Sequence, residues 1–118
     1  MRAKDAVGRY GERVAERFLV DAGLVVLDRN WRCPIGEIDI VARDGDCLVV
    51  CEVKTRSSAA FGHPLEAVSA AKAARLRRLA MAWVDLHGVR PAQIRIDLVA
   101  VLRVPSGAPE ISHLRAVA

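Results

Sequence analysis

Asp39 and the run Glu52-Val53-Lys54 flank Asp44-Gly45, inside two stretches rich in strand-forming residues, Ile38 to Ala42 and Cys47 to Val53. An Asp-Gly pair between such stretches is a strong hairpin signal, because both turn positions then need φ > 0. Side chains alternate along a strand, so Glu37, Asp39 and Val41 share one face of the first strand, and Val50, Glu52 and Lys54 one face of the second. A two-residue Asp44-Gly45 loop sets Asp39 against Val50 with Glu52 diagonal to it; a four-residue loop sets Asp39 directly against Glu52. Either way the two acids share a face, about 5–8 Å apart at the level of the strands. A three-residue loop would separate them unless a bulge restored the phase. Like charges so placed repel and raise each other's pKa, and a divalent cation would neutralise them. Two carboxylates, a backbone carbonyl and water are the hard oxygen donors of Mg²⁺ or Mn²⁺.

The pattern of Asp39 followed by Glu52-Val53-Lys54 resembles the PD-(D/E)xK nuclease motif, with Ile38 where that motif has proline. Adding Gly11-Glu12, Gly36-Glu37-Ile38-Asp39-Ile40-Val41, Val50 to Arg56, Phe61-Gly62 and Lys72, the chain resembles the YraN family over roughly residues 8 to 102. That is an uncharacterised bacterial family with a Holliday-junction-resolvase-like, restriction-endonuclease-like fold. The resemblance implies a metal-dependent nuclease in which Asp39, Glu52, the Val53 carbonyl and Glu12 hold Mg²⁺ or Mn²⁺. Lys54 would then orient or activate the attacking water. Three further residues stand near this constellation. Glu37 either supports the metal ligands or pairs with an arginine. Arg56, two residues past Lys54, is either a phosphate contact or a solvated cation. Lys72 either reaches the site or snorkels along its helix.

Several elements must position these groups. Residues 5 to 22 read as an amphipathic helix, with Val14, Ala15, Phe18 and Leu19 on one arc and Arg9, Arg13 and Arg17 facing away. Gly8 and Gly11 fall on the apolar arc, where a missing side chain admits a close neighbour. Leu24 to Leu27 read as a short strand and Asp28 to Pro34 as its polar continuation and loop. Thr55 to Pro64 read as a second loop. Residues 65 to 87 are mostly helical, with a break near Ser69, a buried stripe from Ala73 to Val84 and Gly88 as the stop. Ile94 to Leu102 suit a strand in the middle of a sheet, and Glu110 to Leu114 an edge strand before a loose tail. The expected fold is α/β, a restriction-endonuclease-like core with a mixed four- to five-stranded sheet and helices on its faces. One domain over residues 1 to 118 is expected, with its core at about 5 to 104.

With 53% hydrophobic and 27% charged residues, no tract is biased enough to argue disorder. No apolar run is long enough to span a membrane, and the charged N-terminus excludes a secretory signal, which points to the cytoplasm. Cys33, Cys47 and Cys51 form no CxxC pair and read as reduced, with Cys47 and Cys51 buried. Three separate histidines form no zinc cluster; His63 and His113 read as surface or loop residues. A net charge of +4 favours an anionic partner, with nucleic acid, DNA foremost, the expected one. Two other classes remain open: a non-catalytic nucleic-acid-binding module on the same fold, and a cytosolic protein-interaction domain. A homodimer is implied by the resemblance alone.

Overall fold

Seven elements follow one another in the computed structural model, which describes residues 6–57 and 68–118. They are α1 (Ala6–Asp21), β1 (Val25–Cys33), β2 (Gly36–Asp44), β3 (Cys47–Arg56), α2 (Ala70–His87), β4 (Gln93–Leu102) and β5 (Glu110–Leu114). The strands form one sheet in the order β1-β2-β3-β4-β5. Every neighbouring pair is antiparallel except β3 and β4, which run parallel and are joined through α2. The chain is thus α/β with a mixed five-stranded sheet.

Each helix covers one face of that sheet. Ala15 and Leu19 of α1 pack with Ile40, Ala42, Val49, Cys51, Val99 and Val101. Leu76, Leu79, Ala80, Trp83 and Val84 of α2 pack with Val41, Leu48, Val50 and Ile96. The four-residue recurrence of Gly11, Ala15 and Leu19 makes the buried stripe of α1, and Arg9, Arg13 and Arg17 are exposed as expected. Gly23, at φ 97°, ends this helix, with its N–H on Val20 and that of Leu24 on Leu19. Arg29 of β1 donates to Glu16 at 2.7 Å, and this hydrogen bond holds the Glu16 carboxyl below its ordinary range.

Several sequence expectations need correction. Asp28 to Cys33 is strand, not loop, and only Pro34 and Ile35 turn the chain into β2. Asp28 is polar because its carboxylate accepts the Trp83 indole N–H at 3.0 Å. Thr55 and Arg56 continue β3 because β4 pairs with them to the end, Arg56 opposite Leu102. Helix α2 begins at Ala70, capped by the Ser69 hydroxyl, which accepts the Lys72 N–H at 3.1 Å. Val68 and Ser69 are not helical, and residues 58–67, with Phe61, Gly62 and His63, lie outside the described residues. The segment after β5 is pinned, since Val117 donates to the Ile96 carbonyl at 2.8 Å and Arg77 to that of Ala118.

Gly11 sets how closely α1 lies on β3. A Cβ added there would stand 1.7 Å from the Thr55 hydroxyl oxygen, so the helix would have to lift. Gly11→Ala is expected to lower stability by about 1–3 kcal/mol, read as an earlier denaturant midpoint. An unchanged midpoint would mean that α1 is not held at this contact.

Candidate active site

The β2–β3 hairpin turns at Gly45 and Asp46, one residue later than Asp44-Gly45, because Asp44 still pairs with Cys47. Only Gly45 of these two has a positive φ, 60°, the arrangement of a turn with glycine first. The last pairs of the ladder, Val41 with Val50 and Ile40 with Cys51, have the register whose continuation would set Asp39 against Glu52. That is the pairing expected of a four-residue loop, reached here through a two-residue turn.

Beyond Ile40 and Cys51 the ladder between β2 and β3 stops. The Val53 N–H donates instead to the Asp39 carboxylate at 2.9 Å. A residue's N–H and C=O project to the same side of a strand, so the Val53 carbonyl also points into the gap. Side-chain alternation breaks at this level too. Ile38 packs with Val41 under α2, although strict alternation would send it to the face of Ile40 and Ala42. Asn30, which the register sets opposite Asp39, has φ 49°.

The gap is the floor of a cleft of about 420 Å³, lined by Gly36, Glu37, Asp39, Glu52, Val53 and Lys54 from the strands. Lys72, Arg75, Leu76 and Leu79 of α2 form its other wall. Asp39 is 7% exposed, Glu52 is half-buried, and the Lys72 ammonium is ion-paired with the Glu52 carboxylate. Burial first, and then the neighbouring Asp39, push the Glu52 carboxyl above its ordinary range, against the opposing pull of Lys72 and Lys54. The geometry therefore brings together Asp39, Glu52, Val53, Lys54, Lys72 and Glu37. Glu37 also lies 3.7 Å from the Arg32 guanidinium. Glu12 and Arg56 are not among the residues that line the cleft.

Among the described residues no three His, Cys, Asp or Glu side chains converge as a metal cluster. The available donors are two carboxylates, the Val53 carbonyl and water. That set suits Mg²⁺ or Mn²⁺, which keep several waters and take one or two carboxylates.

A second charged cluster escaped the sequence reading. Asp97 of β4 is fully buried and accepts two hydrogen bonds from Arg95, at 2.9 and 3.0 Å. It also meets His113 Nε2 at 2.7 Å and accepts the Ala116 N–H at 3.0 Å. Arg95 reaches Asp44 at 3.1 Å as well. His113 is therefore a sheet residue with a buried ring, edge-on to Phe18, and not a surface group. Cys51 is buried and Cys47 only half-buried, both as free thiols whose pKa burial pushes up. An acid in an apolar strand, with Arg two residues earlier on the same face, was the available signal for Asp97.

The uncharacterised protein family UPF0102 matches this chain over residues 11–101. A UPF0102 protein of Beutenbergia cavernae is 62% identical over 117 residues, covering 99% of each chain. One from Kineococcus radiotolerans is 60% identical over 118 residues, 99% of this chain and 97% of its own. One from Streptomyces griseus is 59% identical over 118 residues, again 99% of each.

Two substitutions test the electrostatics. A carboxyl whose folded pKa is raised loses stability for the fold as pH climbs through that pKa, and the loss is absent below the unfolded value. Glu52→Gln is thus expected to raise the denaturation midpoint of the metal-free protein at neutral pH, and the gain should vanish below about pH 4. Asp97→Asn is expected to cost about 3 kcal/mol or more by chemical denaturation, because it leaves Arg95 and His113 facing a neutral amide. A cost under about 1 kcal/mol would contradict a buried charge network there.

Proposed function

The chain belongs to the uncharacterised protein family UPF0102, the YraN-like family, and we propose that it is a metal-dependent nuclease that hydrolyses phosphodiester bonds in nucleic acid, DNA foremost. The observation that carries this reading is the meeting of Asp39 and Glu52 in one cleft just past the end of the β2–β3 ladder, with Lys54 and Lys72 lining it too. On this reading the five-stranded α/β fold is a restriction-endonuclease-like core.

Asp39 and Glu52, with the Val53 carbonyl, would hold Mg²⁺ or Mn²⁺. A bound divalent ion supplies Lewis-acid polarisation of a phosphate oxygen and a water of lowered pKa. The residues of the chain do the positioning. Lys54, on the same strand face as Glu52, holds the attacking water in line with phosphorus and stabilises the charge that develops there. Asp39 is fixed in orientation by the hydrogen bond that its carboxylate accepts from the Val53 N–H. Arg75, at the cleft wall, supplies a cation for the phosphate backbone. Glu12 follows Gly11, which rests on Thr55 at the α1 side of β3, and stands apart from the cleft, so the two acids and the Val53 carbonyl carry the metal without it.

Incubation with Mn²⁺ and a labelled panel of junction, flap, duplex and single-stranded DNA and RNA is expected to show cleavage of at least one substrate. Lys54→Ala should slow it by about 10²–10⁴-fold, and Asp39→Ala should abolish it. Cleavage that survives Asp39→Ala would not belong to this cleft. Binding without any cleavage would leave a non-catalytic nucleic-acid module.

A further inference from the structure

Lys72 occupies an unfavourable place. Its backbone N–H caps onto Ser69 in the first turn of α2, where the helix dipole repels cations, and that turn contains no acid to offset it. Its side chain nevertheless turns inward to the Glu52 carboxylate, with only 23% of the side chain exposed. Glu52 is the less exposed partner, at 12%. Both groups give up hydration to meet in a cleft that already contains Asp39 and Lys54.

We propose that Lys72 is the resident counter-ion of Glu52, holding the cation's place in the metal-free protein and giving up the carboxylate when a divalent ion binds. This rests on the nuclease reading only in taking Glu52 as a metal ligand. Asp39 and Glu52 line one cleft as two largely buried acids, and carboxylates held together out of water need a positive partner. Lys72 supplies that cation from the opposite wall of the cleft. A divalent ion and an ammonium on one carboxylate, shielded from water, would repel each other strongly. Binding of one therefore expels the other. The four-carbon stem of lysine lets the ammonium leave without moving α2. The exchange keeps the cleft near charge balance in both states. It also makes metal affinity depend on a helix residue that need not touch the ion. Lys72 is in this sense a positioning residue for Glu52 and sets how readily the site loads.

Lys54 provides an internal comparison, because it carries the same charge in the same cleft but makes no ion pair with Glu52 among the described residues. A general effect of local positive charge would treat the two lysines alike; exchange at Glu52 singles out Lys72.

The test is calorimetric titration of Mn²⁺ into the purified full chain and its Lys72→Met, Lys54→Met and Asp39→Ala variants, with no nucleic acid present. Lys72→Met is expected to bind Mn²⁺ about tenfold more tightly than the unmodified chain, and Lys54→Met to change affinity far less. Lys72→Gln carries the same expectation if the methionine variant does not fold. Mn²⁺ binding that is unchanged or weaker in the Lys72 variants would overturn the exchange while leaving the metal site intact. Equal tightening in both lysine variants would overturn it too, since a field effect would then suffice. Mn²⁺ binding in none of the proteins, or binding that survives Asp39→Ala unchanged, would remove the metal site itself and the exchange with it.

Discussion

The site depends on two strands that pair through one stretch and then part. β2 and β3 form a regular ladder from the Gly45-Asp46 turn to Ile40 and Cys51. There the Asp39 carboxylate takes the place of a backbone acceptor for Val53. A buried amide without a partner costs free energy comparable to a lost hydrogen bond, so one carboxylate both ends the ladder and satisfies the amide that the ending exposes. Parting of the strands opens the cleft that Asp39, Glu52 and Val53 line. β3 can leave β2 because β4 continues to pair with it through Arg56. The parallel crossover through α2 therefore supports the open hairpin end and brings Lys72 and Arg75 to the cleft wall.

The two faces of the sheet treat buried charge in opposite ways. On the α1 side, Asp97 is fully buried, accepts hydrogen bonds from Arg95 and the Ala116 N–H, and meets the His113 ring. That network is satisfied within the chain and ties β4 to β5 and the C-terminal segment, the expected form of a structural buried acid. On the α2 side, Asp39 and Glu52 line one cleft with Lys54 and Lys72 as their neighbours. The first arrangement is closed by hydrogen bonds within the sheet, whereas the second gathers acids and lysines around an open cleft. This asymmetry, more than the motif itself, separates a site from a scaffold.

Much of this was readable from residue order. The hairpin, the shared face of Asp39 and Glu52, the amphipathic α1 and the stripe of α2 all follow from side-chain period and turn chemistry. The turn fell one residue later because Asp44 is engaged by Arg95 across the sheet, a long-range contact that no local pattern carries. β1 ran on through Asp28, Arg29 and Asn30 because Trp83 and Glu16 take up the first two polar side chains. Such tertiary partners are invisible along the chain. Asp97 was overlooked for a related reason: an apolar run hides one acid until its partners from β5 and Arg95 are in place. The pairing of Lys72 with Glu52 became decidable only once α2 was docked on the sheet.

The most direct measurement is a crystal structure grown with Mn²⁺ and examined by anomalous scattering. The account predicts one strong peak within coordination distance of the Asp39 and Glu52 carboxylates and the Val53 carbonyl, with the Lys72 ammonium displaced from Glu52. No peak in the cleft at saturating Mn²⁺, or an ion held elsewhere with the Lys72–Glu52 pair unbroken, would contradict it.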